Sequence, residues 1–62
     1  MEKIKLFYKD ADGNETHLIA EGEDIEIASK NAVKEFQILR EIYGENTLPI
    51  SNITRMDKIV DN

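Results

Sequence analysis

Asp10, Asp12 and Asn14, with Glu21 behind them, carry oxygen ligands at the spacing of a helix-flanked calcium loop, so ion binding is the first chemistry to weigh. Such a loop needs glycine at its sixth position to turn sharply. Here the sixth residue is Glu15, and Gly13 comes two places early. The same residues fit a hairpin better. Asp10-Ala11-Asp12-Gly13 puts Asp at the first position of a type I turn and Gly at the fourth, where a left-handed residue closes the hairpin with a bulge. Glu21 then falls at the far end of the second strand, roughly 20 Å from the turn at ~3.3 Å per residue, too far to share an ion with Asp10. No metal is expected.

Other residues that could do chemistry are few. Nucleophilic catalysis needs an activated Ser, Cys or Thr beside a base that a third group orients. The chain has no cysteine and one histidine, His17, which the strand pattern places away from Ser29 on a helix and Ser51 beyond a loop. Glu21, Glu23, Asp24 and Glu26 could in principle form an acid–base pair. They serve more simply to cap a helix and complement its dipole. Gly13, Gly22 and Gly44 each read as a turn or cap residue, and none belongs to a phosphate-cradling loop. The expectation is a non-enzymatic protein without cofactor.

The elements that would position these residues are legible from periodicity. Residues 2–9 alternate, with Ile4, Leu6 and Tyr8 on one side and Lys3, Lys5, Phe7 and Lys9 on the other. Residues 15–21 alternate likewise, Thr16, Leu18 and Ala20 against Glu15, His17, Ile19 and Glu21. Setting Asp10 opposite Asn14 pairs Tyr8 with Thr16, Leu6 with Leu18 and Ile4 with Ala20 on one face. On the other face Lys9 meets Glu15 and Lys3 meets Glu21, and a slip of one residue would destroy both patterns.

From residue 24 to 43 the period becomes helical, with Ile25, Ala28, Ala32, Phe36, Leu39 and Tyr43 as the core stripe, Asp24 as N-cap and Gly44 as C-cap. Glu26 and Lys30 are spaced for an ion pair on its surface. Residues 45–49 read as a loop ended by Pro49. Residues 50–60 read as a third strand, bulged if it is one, with a short helix as the rival reading because Ile53, Met56 and Val60 also suit helical spacing.

Together these predict one small α+β domain over residues 1–62, a two-layer ββαβ unit with an antiparallel three-stranded sheet of order 2-1-3 and one helix on one face. The strand–helix–strand crossover is expected to be right-handed.

Thirteen acidic residues against eight basic give a net charge of −5 in 62 residues, which disfavours broad phosphate-backbone binding. The absence of cysteine suits a reducing compartment, and the charged start MEKIKLFYKD is neither a secretory signal nor a membrane span, so a cytoplasmic location and no membrane partner are expected. Asn52-Ile53-Thr54 spells a glycosylation acceptor, which without an export signal reads as coincidence.

What remains is apolar surface that the core does not need. Lys5, Phe7, His17 and Ile19 fall on the sheet face away from the helix, and Ile27, Ile38 and Ile42 form a second helical stripe. The stripe could instead be a wide core boundary met by the third strand or the tail. The leading expectation is a protein-interaction module that binds a protein partner or itself as a homodimer. A phage-type accessory or inhibitor protein, its acidic surface occupying a basic site on a host nucleic-acid enzyme, is the first alternative. Weak nucleic-acid binding through the open sheet face is the second, disfavoured because Glu15 and Glu21 offset two of the lysines and Phe7 is the sole aromatic there.

Overall fold

The computed structural model describes residues 1–60 and contains, in chain order, β1 (Glu2–Lys9), β2 (Glu15–Gly22), α1 (Ile25–Tyr43), a 3-10 turn (Ile50–Asn52) and β3 (Ile53–Ile59). The sheet has the order β2-β1-β3, and both outer strands run antiparallel to β1. The first pairing has the expected register, with Tyr8 opposite Thr16, Leu6 opposite Leu18 and Lys3 opposite Glu21.

The turn that sets this register is held by one side chain. Asp10 Oδ1 accepts from the backbone N–H groups of Asp12 and Asn14, each at 2.9 Å, while Gly13 N donates to Asp10 O at 3.0 Å. Gly13 has φ +82°, the left-handed conformation that closes a three-residue hairpin and that a side chain would disfavour. Asp10 thus directs its carboxylate at its own backbone.

Helix α1 begins as its sequence dictates. Asp24 is extended and accepts from Ile27 N at 2.9 Å, and Glu26 sits in the first turn, paired with Lys30 at 3.5 Å on the solvent side. Gly44, at φ +97°, ends the helix and donates to Arg40 O at 2.7 Å. One face of α1 buries Ala28, Ala32 and Phe36 against Ile4, Leu6 and Ala20, with Tyr8, Leu18, Leu39 and Ile53 packed around them. Small alanines let the helix approach the sheet, and Phe36 fills the space beyond them, its ring meeting Tyr8 edge-on at 5.1 Å. The core stripe is shorter than its periodicity suggests, because Ile25 and Tyr43 at its two ends remain exposed.

Three features differ from expectation. β2 runs one residue further, to Gly22, which is a buried strand residue under the first turn of α1 rather than a turn glycine. A Cβ there would lie 2.4 Å from Ala28 N and 2.8 Å from Ile27 C, so glycine is what lets helix backbone rest on strand backbone. The loop after α1 contributes Leu48 to the core, its carbonyl held by Arg40 Nε at 2.9 Å. Finally, the third strand starts at Ile53, after the 3-10 turn over Ile50–Asn52, and its pairing with β1 shifts between Phe7 and Tyr8. That bulge explains the imperfect alternation: beyond it Ile53 turns to the core side, while Arg55, Asp57 and Ile59 fall opposite Phe7, Lys5 and Lys3.

Candidate interaction surface

The sheet face that α1 leaves open is built from alternate residues of all three strands. β1 supplies Lys3, Lys5, Phe7 and Lys9, β2 supplies Glu15, His17, Ile19 and Glu21, and β3 supplies Arg55, Asp57 and Ile59. Phe7, on the central strand, is flanked by His17 on one side and Arg55 on the other. The Arg55 guanidinium lies over the Phe7 ring at 4.3 Å from its centroid, Lys5 Nζ at 5.7 Å, and the His17 ring is tilted against it at 5.9 Å. A cation over a partly exposed ring contributes about 0.5–1 kcal/mol. Arg55 is itself oriented by Asp57, whose Oδ2 accepts from Nε at 3.0 Å, and Thr54 Oγ1 donates to Phe7 O at 3.2 Å. Ile19, opposite Lys5, stands beside this cluster and is 47% exposed.

The expected surface residues therefore fall into two groups on opposite sides of the molecule. Lys5, Phe7, His17 and Ile19 are brought together on the open face. Ile27, Ile38 and Ile42 lie on the outer side of α1 and are 40%, 55% and 68% exposed; β3 does not cover them. The boundary reading of that stripe is thus corrected as far as β3 is concerned, and the tail past residue 60 lies outside the described residues. Nor is the stripe continuous. Ile27 and Ile38 are separated by roughly 16 Å of helix at ~1.5 Å per residue, with Asn31, Lys34 and Glu35 between them. Asn31 Nδ2 reaches back to Glu21 O at 2.8 Å.

Charge is divided unevenly between the two sides. The open face carries four basic residues (Lys3, Lys5, Lys9, Arg55) and three acidic ones (Glu15, Glu21, Asp57), which leaves four basic against ten acidic in the rest of the chain. An overall −5 is therefore +1 on the face and −6 elsewhere.

Elsewhere a hollow of about 300 Å³ opens between the hairpin turn and the end of α1, lined by Tyr8, Asp10, Thr16, Leu39, Tyr43 and Leu48 among others. Burial pushes the Tyr8 phenol above its ordinary value, with Tyr43 and Asp10 adding to the effect. His17 and Ser29 are on different layers: Ser29 Oγ donates to Ile25 O at 2.8 Å on the helix, while His17 belongs to the helix-free face. Among the described residues, no group of three or more His, Asp or Glu is placed to hold a metal ion, and no helix is long and apolar enough to cross a membrane.

Arg55, Asp57 and Ile59 are the members of this surface that sequence reasoning missed. Their signal was the alternation Arg55, Asp57, Ile59, visible only when the third strand is read backward from Ile59 and allowed a bulge before Arg55. Compared with known protein families, curated proteins and solved structures, the chain matches none at a significant level.

Proposed function

We propose that this domain is a small, non-enzymatic protein-interaction module whose working surface is the open sheet face. One observation carries the reading: Phe7 is held half-buried between Arg55 and His17, beside exposed Ile19, on a face that no other part of the described chain covers. Aromatic and arginine side chains held in fixed orientations are the groups that dominate protein interfaces, because they present large contact area at small cost in conformational freedom. The cytoplasm is the proposed setting, supported by a cysteine-free sequence.

The excess of acidic residues off the open face supports a second reading, in which that acidic surface occupies a basic site on a nucleic-acid enzyme, as accessory proteins of phages and mobile elements do. The two readings differ in salt dependence. A contact made by the acidic side weakens steeply between about 0.1 M and about 1 M salt, as the Debye length falls from about 10 Å to about 3 Å, whereas a Phe7–Ile19 contact does not.

The test is affinity capture from source-cell lysate with tagged wild type, Phe7→Ser, Ile19→Glu and Ile38→Ser, at both salt concentrations. The face reading expects a stoichiometric protein retained by wild type and Ile38→Ser and lost from the two face variants. A partner that survives both face substitutions and is released by salt would replace it with the acidic-side reading.

A further inference from the structure

β3 is an edge strand, and among the described residues no other strand pairs with its outer side. Helix α1 lies over β2 and β1, and of β3 only Ile53 packs against the core, so that Thr54 to Lys58 are all exposed and Met56 is 41% exposed although it points toward the helix layer. Seven residues of strand, roughly 23 Å at ~3.3 Å per residue, thus present a row of unpaired backbone groups, a template for another strand.

The sequence of that edge is complementary to itself. In antiparallel pairing about a two-fold axis through Met56, Met56 faces its own copy, Arg55 faces the second copy's Asp57, and Asp57 faces its Arg55. Paired residues share a sheet face, so both charged pairs form on the open side and the two methionines meet on the helix side, in the trough beside α1. The other edge has the opposite property. Pairing β2 with itself about Leu18 sets Glu15 against Glu21 at both ends, and Asn31 of the helix already occupies the Glu21 carbonyl.

We propose that the occupant of the β3 edge is a second copy of this chain, paired edge to edge through Arg55–Asp57, in an isologous dimer with a continuous six-stranded sheet. The two-fold axis runs perpendicular to the sheet, so both helices lie on one side and both Phe7–Arg55 clusters on the other. The seam shares Arg55 with the open-face cluster but needs no partner at Phe7 or Ile19, so native mass tests it separately from the open-face reading. If both hold, the dimer offers two copies of that surface on one plane, and a divalent partner gains effective concentration for its second contact.

Native mass decides the matter, measured by sedimentation equilibrium on the untagged chain from ~10 μM to ~1 mM, the range in which an edge contact smaller than a standard interface operates. Wild type is expected at twice the chain mass of 7.1 kDa at the upper end. Arg55→Asp sets Asp against Asp at both symmetric pairs, and Asp57→Arg sets Arg against Arg. Each variant alone is expected to dissociate at least about tenfold more readily. Mixed one to one, the two variants regain opposite charges at both pairs and return to the double mass as a heterodimer. Wild type at the single mass throughout overturns the proposal, as do variants that stay dimeric or a mixture that stays monomeric. Should a substitution unfold the chain, amide exchange of wild type decides instead: β3 amides are expected to slow between ~10 μM and ~1 mM, and unchanged β3 protection refutes the seam.

Discussion

Gly22→Ala isolates the closest approach between the two layers. The residue is buried at the end of β2, and its φ lies outside the left-handed region, so the substitution brings no backbone strain of its own. What it brings is one methyl group 2.4 Å from Ala28 N, 2.8 Å from Ala28 Cα and 2.8 Å from Ile27 C. All three are backbone atoms, so no side chain can rotate aside; α1 must lift by about 1 Å to restore ordinary contact near 3.4 Å. That lift loosens the packing of Ala28 in the core and strains the Asp24 cap one turn earlier. Overpacking of this kind costs about 1–3 kcal/mol, against a total stability of about 3–9 kcal/mol for a domain of this length. The expected result is a thermal midpoint lowered by about 5–20 °C in circular dichroism melts, with the urea midpoint shifted in the same direction. Gly13→Ala is the contrast, since its Cβ meets nothing within 4 Å and only its left-handed φ resists. A Gly22→Ala domain within about 0.5 kcal/mol of wild type would refute the packing argument.

Two further expectations follow from single contacts. Asp24→Ala removes the acceptor for Ile27 N and is expected to lower stability by about 1 kcal/mol in urea titration, whereas Asp24→Asn should retain most of it; equal losses in both would assign the effect to charge at the helix start instead of capping. Because the Tyr8 phenol is raised above its ordinary value of 10.0, the folded state holds that proton more tightly than the unfolded chain. Its contribution to stability is full below pH 10.0 and is lost as the pH rises through the folded value. The urea midpoint should therefore fall above pH 10 more steeply in wild type than in Tyr8→Phe, and parallel profiles would remove Tyr8 as the cause.

Local rules carried the sequence reading a long way. The β1–β2 register needed only the Asp10–Gly13 turn and two alternating runs, which agree with each other, and Asp24 and Gly44 bracket α1 by capping chemistry. The order β2-β1-β3 followed from a helix that must cross back over β1. What local patterns did not reveal depends on distant parts of the chain. Leu48 looks like an ordinary loop residue and is buried because the loop folds back under Arg40. Gly22 resembles a turn glycine until the helix is set down on it. Arg55 reaches Phe7 only because a bulge near Ile53 shifts the pairing, and periodicity reads a bulge as noise. The β1 and β2 part of the open face, with Lys5, Phe7, His17 and Ile19, was legible; the cation that covers its centre was not.

The placement of β1 in the middle of the sheet has a consequence in time. β1 and β2 meet across a tight turn, so their side of the open face can assemble within microseconds of the hairpin closing. Arg55 reaches Phe7 only after a ring of nearly the whole chain has closed, since the two residues are 48 positions apart in sequence and the helix lies between them. Until then Phe7 has His17 on one side only, on a strand whose other edge is unpaired. The face is therefore finished last, and Arg55 marks its completion: a partner that grips the arginine together with the ring selects molecules in which β3 has docked, and passes over those still waiting for it.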